Sequence, residues 1–148
     1  MCDLGCGFGF IPYLFGELLG FKEVYGIDIN EDRLAVAEKR LYKVLKADLE
    51  DDILPFPKGY FNLIISFGVL EHLKFFDNPI KEAYRILKPG GLFLVSIPNL
   101  GDWVNKIRLL LGSSHTLYKF RMLSSTDHIR SCTLSTLERL LMYYGLSL

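Results

Sequence analysis

The spacing of apolar residues changes several times along the chain, and each change marks a separate element. Residues 1–4 read as the end of a strand. Ile11, Leu14, Phe15, Leu18 and Leu19 then recur at i, i+3, i+4, i+7 and i+8, which is the spacing of one helical face. Pro12 is tolerated in the first turn of that helix and Gly20 stands where it should stop. A second strand is expected over 23–29. Asn30 caps the helix after it, with Glu31 and Asp32 in the first turn and Lys39 and Arg40 in the last, so charge and helix dipole agree. A third strand at 42–47 leads into a loop punctuated by prolines. The fourth, 61–67, is almost continuously apolar, as a strand covered on both faces should be.

Asn78 and Pro79 open the next helix, with Ile80, Ala83, Tyr84 and Leu87 facing inward, and Lys88-Pro89-Gly90-Gly91 ends it in a turn. A fifth strand is expected over 92–97. After Pro98 a helix carries Trp103, Val104, Ile107, Leu110 and Leu111 on one side and runs to Gly112. Residues 113–132 show no clear period, and residues 133–144 make a last amphipathic helix. Strands alternating with helices predict an α/β fold, a doubly wound parallel sheet with helices on both faces. One domain over 1–148 suffices, with its first strand shortened and the chain stopping where a further strand would begin.

Composition narrows the functions open to such a domain. Lys and Arg, 17 in all, balance 17 Asp and Glu, so no overall field favours nucleic acid or an anionic membrane. A chain that is 50% apolar and 23% charged buries a core and is not disordered. No apolar run approaches the roughly 18 residues of a membrane span, and residues 1–20 lack a basic leader. A soluble, cytoplasmic protein is expected. Cys2, Cys6 and Cys132 are odd in number and lack the paired spacing of a metal site or disulfide framework, so no metal is expected.

The sharpest chemical signal is Asp3-Leu4-Gly5-Cys6-Gly7-Phe8-Gly9 between the first strand and its helix. Alternate glycines let backbone approach a ligand that a Cβ would exclude. The dinucleotide fingerprint G-x-G-x-x-G would need Gly at position 10 or 12, where the chain has Phe10 and Pro12. A carboxylate at Asp3 would repel a pyrophosphate but suits a ligand bearing an amine and a sulfonium, which favours S-adenosylmethionine. Asp28, 19 residues after Gly9 at the end of the second strand, is placed to accept both hydroxyls of a ribose. A plain loop acid ahead of a capped helix is the alternative for it.

With these motifs the chain resembles the class I S-adenosylmethionine-dependent methyltransferases. The likeness continues through Ala47-Asp48-Leu49, through 61–73 ending in Gly68-Val69-Leu70-Glu71-His72-Leu73, and through Arg85-Ile86-Leu87-Lys88-Pro89-Gly90-Gly91. It implies a Rossmann-like sheet of strand order 3-2-1-4-5, lacking the sixth and seventh strands that such domains usually add. Gly5, Cys6 and Gly7 would pass their backbone along the methionine part of the donor, and Asp3 would hold its amine through water. Asp28 would take the ribose and Asp48 the adenine amine, with Ile29 and Leu49 flanking the ring. The Phe67 carbonyl would reach the methionine ammonium. Asp48 could instead be a solvated loop acid, since Glu50, Asp51 and Asp52 follow it. Ile97-Pro98-Asn99, the Trp103 helix and Asp127-His128-Ile129-Arg130 further resemble the branch acting on small sugar-linked, quinone-like and lipid-like acceptors.

Methyl transfer from an activated sulfonium needs alignment and exclusion of water rather than a covalent intermediate. A hydroxyl acceptor must also lose a proton, and His72, Glu71 and His128 are the candidate catalytic residues. His72 and Glu71 could equally cap or pack their own loop, and His128 with Arg130 could tie the long loop to the last helix. Cys6 needs no thiol chemistry, because its small side chain can face away from the ligand. An S-adenosylmethionine-binding partner or regulatory subunit without activity is the alternative to an enzyme. The missing last strands leave one sheet edge uncovered, so the chain is expected either to be a fragment or to bind a second copy or another partner at that edge.

Overall fold

The structure, a computed structural model, describes residues 1–99, 101–111 and 132–147. Its five strands are β1 (Cys2–Leu4), β2 (Tyr25–Asp28), β3 (Lys43–Lys46), β4 (Phe61–Ser66) and β5 (Leu87–Val95). They form one parallel sheet in the order β3-β2-β1-β4-β5, the order that the methyltransferase likeness implied. Five helices are described: α1 (Phe10–Leu19), α2 (Glu31–Ala37), α3 (Asp77–Ile86), α4 (Trp103–Leu110) and α5 (Leu134–Tyr143).

Both faces of the sheet are covered. On one, Leu63 and Ile65 of β4 pack with Val24, with Leu34 and Ala37 of α2, and with Phe15 of α1. On the other, Cys2, Leu4, Ile27 and Ile64 pack with Ala83 and Ile86 of α3. Leu63 and Ile65 on one side and Ile64 on the other therefore serve opposite cores, which is why β4 is apolar over 63–65, with Asn62 exposed before them. Ile80 of α3 meets Leu137 and Leu141 of α5 in a third cluster, and the Tyr144 hydroxyl donates to Asp77 at the start of α3. Among the described residues, β5 pairs only with β4.

Four expectations need correction. The α1 stripe of Ile11, Leu14, Leu18 and Leu19 is exposed, while Pro12 and Gly16 are buried. A Cβ at Gly16 would stand 2.6 Å from Val24 Cγ2, so backbone closeness rather than side-chain hydrophobicity selects the buried face. Tyr84 is also exposed, and Ile86 takes the inward place beside Ile80 and Ala83. Helix α2 ends at Ala37, leaving Lys39 and Arg40 outside it, yet Arg40 Nη1 still donates back to the Val36 carbonyl in its last turn, at 3.4 Å, and to the Phe8 carbonyl, at 3.5 Å. Finally, Lys88-Pro89-Gly90-Gly91 does not precede the fifth strand but bulges within it, because Leu87 pairs with Phe61 and Leu92 with Leu63.

One ion pair fixes the loop between β3 and β4. Arg85 donates to both carboxylate oxygens of Glu82, at 2.7 and 2.6 Å, and to the carbonyls of Phe56 and Leu54, at 2.6 and 2.8 Å. Glu82 in turn accepts from the Leu54 amide at 2.8 Å. The bidentate pair satisfies loop backbone groups that burial would otherwise orphan, and the Arg85 hydrogen bonds hold the Glu82 carboxyl below its usual range.

Candidate active site

The carboxyl ends of β1, β2, β3 and β4 surround a cavity of about 420 Å³. Gly5 follows β1; Asp28 and Ile29 close β2; Ala47, Asp48, Leu49 and Glu50 follow β3; Gly68, Val69, His72 and Leu73 follow β4; Arg33 comes from α2. Strand order reverses at β1, whose neighbours are β2 and β4. Open parallel sheets bind ligands at that reversal.

The glycine turn is held from beneath. The amides of Gly5 and Cys6 both donate to the Ile27 carbonyl at 2.8 Å, and the Gly7 amide donates to Asp28 Oδ2 at 2.8 Å. Gly5 has φ +87, and a Cβ there would lie 2.2 Å from Val69 Cγ2; no other residue fits that position. Gly7 has φ +53 with nothing within 4 Å of a Cβ position, so conformation alone requires glycine there. Cys6 turns the other way, into the core beside Gly26. Burial, with Asp3 and Asp28 nearby, pushes its thiol up to about 12, so it is no nucleophile at neutral pH.

Two buried carboxylates underlie the turn. Asp28 Oδ1 accepts from the Asn30 amide at 2.9 Å and Oδ2 from Gly7. Each oxygen keeps a second lone pair for a ligand hydroxyl. Asp3 is 4% exposed, and its Oδ1 has no hydrogen-bond partner among the described residues. Burial, then the charge of Asp28, raises the Asp3 carboxyl to about 7. An orphaned buried carboxylate costs free energy until a donor or cation meets it, and the amine of S-adenosylmethionine is such a group. The residues present therefore fit this cofactor.

The remaining expected residues are dispersed around this centre. Asp48 is half-buried on the cavity wall and Oδ1 accepts from the Glu50 amide at 2.9 Å. Leu49 is buried and Ile29 exposed, both at the wall. Asp3, Cys6, Gly7 and Phe67 lie outside the lining, and the Phe67 ring packs 5.7 Å from that of Phe15. His72 lines the cavity from a short 3-10 turn, Leu70–His72, and Glu71 in the same turn is buried. His128 and Arg130 lie outside the described residues.

Arg33, Glu50 and Val69 are among the wall residues to which the sequence assigned no role. Arg33 stands over the Phe8 ring, 5.9 Å from its centroid. Glu50 accepts from the amides of Lys74 and Phe75 at 2.6 and 2.9 Å, tying the β3 and β4 loops together. Val69 sits under Gly5. Arg33 stands one turn after the cap Asn30, whose side chain accepts from its amide at 3.0 Å.

Comparison with known proteins agrees with this geometry. The profile of a family described as "Methyltransferase domain" matches residues 2–95. The chain is 39% identical over 127 residues to the ubiquinone/menaquinone biosynthesis C-methyltransferase UbiE of Neisseria gonorrhoeae, covering 82% of this chain and 49% of that protein. It is 33% identical over 97 residues to a probable S-adenosylmethionine-dependent methyltransferase of Mycolicibacterium smegmatis, covering 66% and 37%. Among solved structures, an S-adenosylmethionine-dependent methyltransferase of Thermotoga maritima, a possible histamine N-methyltransferase by its description, superposes with a TM-score of 0.68 at 25% identity. That match covers 97% of this chain and 62% of the other. The chain spans about half the length of the UbiE relatives it matches.

Proposed function

The chain belongs to the methyltransferase domain family, with relatives that are S-adenosylmethionine-dependent by name, and from that premise we propose that it methylates a ring carbon of a quinone-like acceptor. The observation that carries the donor half of this reading is the buried Asp3, whose Oδ1 has no hydrogen-bond partner among the described residues, beside a glycine turn whose Gly7 amide is held by Asp28. The acceptor half is supported by the 39% identity to UbiE proteins, which are quinone C-methyltransferases by name.

S-adenosylmethionine, when bound, supplies a methyl group on a positively charged sulfur. The residues of this chain position and shield. Asp3 would meet the amine through water, the backbone of Gly5, Cys6 and Gly7 would follow the methionine part, and the Phe67 carbonyl would take the ammonium. Asp28 would accept from the ribose. Asp48 would accept from the adenine amine, between Ile29 and Leu49. A ring carbon that gained the methyl group would have to give up one proton. His72, on the cavity wall, takes that proton, with Glu71 beside it in the turn; His128 is the other candidate base. Alignment and exclusion of water supply most of the acceleration.

The test is turnover of labelled S-adenosylmethionine with a panel of quinols, phenols and amines. Label on a quinol carbon supports the reading. Transfer only to amines or phenolic oxygens overturns the acceptor class. Donor binding without transfer to any acceptor would favour a silent donor-binding subunit.

A further inference from the structure

Helix α4 presents an apolar face that the rest of the described molecule leaves uncovered. Trp103 is 72% exposed, Ile107 45%, Leu110 85% and Leu111, just past the helix end, 78%. At 100° per residue these four positions fall within an arc of about 100°. Lys106 on the same helix is exposed, and Arg108 also belongs to it. The sequence has no carboxylate between Asp102 and Asp127. This stretch is therefore locally cationic in a chain whose formal net charge is zero.

The α1 stripe makes the contrast. It is apolar and exposed too, but Glu17 is the only charged residue in that helix. Nothing about α1 selects an anionic surface. In α4, tryptophan, branched aliphatics and cations coincide. A tryptophan ring settles at the level of lipid headgroups, aliphatic side chains enter the acyl boundary, and lysine or arginine meets anionic headgroups. The chain enters α4 from the carboxyl end of β5, the end of the sheet at which the cavity opens.

We propose that α4 docks this protein on the surface of an anionic lipid bilayer, lying in the interface rather than crossing it. No described helix is long and apolar enough to cross a membrane. The proposal does not rest on the acceptor assigned above.

Trp103 is the sole tryptophan of the chain, so its fluorescence reports the contact directly. The full chain is titrated with vesicles of phosphatidylcholine alone and of phosphatidylcholine with phosphatidylglycerol. Emission is expected to shift to shorter wavelength and iodide quenching to fall, with the phosphatidylglycerol vesicles effective at lower lipid concentration and less so as salt rises. Lys106→Glu should weaken partitioning onto the anionic vesicles by about fivefold or more. The Leu110→Glu, Leu111→Glu double variant should abolish it while leaving S-adenosylhomocysteine affinity unchanged. If the double variant fails to bind that product, Lys106→Glu alone decides, since Lys106 is exposed. Emission unaffected by either vesicle overturns the proposal. So does emission already blue-shifted without lipid, or one that shifts with protein concentration alone, because another protein surface would then cover the stripe. Failure of methyl transfer with vesicle binding intact would reject the quinone reading and leave this one standing.

Discussion

The two halves of the sheet's carboxyl end are built by different rules. On the β1–β2–β3 side, local geometry dictates the positions: Gly5 through the close approach of Val69, Gly7 through its left-handed backbone, Asp28 through the two amides that donate to it. Beyond β4, the chain carries apolar side chains toward solvent, among them Leu92 and Leu94 of β5 and the stripe of α4. The first half carries the candidate donor site. The second acquires its meaning from what it touches, so identity there is a matter of surface chemistry rather than of internal fit.

The largest effect expected on the donor side comes from Gly5→Ala. A methyl group 2.2 Å from Val69 Cγ2 on a backbone at φ +87 should cost about 2–4 kcal/mol from overpacking and left-handed strain. Thermal unfolding measures it. Val69→Ala should restore part of the loss, and a Gly5→Ala variant as stable as wild type would show that the close approach is not real.

Glu82→Ala tests whether the scaffold can be separated from the site. It leaves Arg85 without its carboxylate and the Leu54 amide without an acceptor, and denaturant unfolding should register about 2–3 kcal/mol, below a fully buried pair because Arg85 is partly solvated. Product affinity of the folded variant should stay within about threefold, since sites without shared partners act independently. A much larger loss of affinity would show that the two are coupled.

A smaller effect follows from Asp3. Its carboxyl is raised to about 7 in the folded protein, so the native state holds a proton that the unfolded chain has already lost between about pH 4 and 7. Without ligand, Asp3 therefore subtracts stability as pH rises through that window. A cationic amine favours the ionised form, so S-adenosylmethionine affinity should run the opposite way. It should be about tenfold weaker at pH 6 than at pH 8. Asp3→Asn should flatten that dependence, and a wild-type profile as flat as the variant's would remove Asp3 from the donor site.

The smallest effect belongs to Asp48, half-buried and already accepting from the Glu50 amide. Asp48→Ala should weaken product binding by about 1 kcal/mol, one net hydrogen bond, read by calorimetry. No change would return Asp48 to the role of a turn residue.

These differences also explain what could be read from the sequence. Strands β2 and β4 and the glycine turn were legible because their constraints are local: a run buried on both faces must be apolar, and a turn against a ligand must lack Cβ atoms. The buried face of α1 was not, because Gly16 against Val24 decides it, and a periodicity of hydrophobic residues is blind to a contact made by having no side chain. Glu50 read as one of a run of solvated acids because its partners, the amides of Lys74 and Phe75, arrive from 24 and 25 residues away. Lys88-Pro89-Gly90-Gly91 carried every local mark of a turn. Its place inside β5 depends on pairing with β4, which no local signal carries.

The most direct test of the donor site is a calorimetric titration of the full chain with S-adenosylhomocysteine and, separately, with NAD, repeated on Asp28→Ala. Saturable binding of the first ligand alone, weakened in the variant by about 1.5–3 kcal/mol as expected for hydrogen bonds to a charged group, is the predicted result. Binding of NAD in its place, or an affinity for S-adenosylhomocysteine that survives removal of Asp28 unchanged, would contradict it.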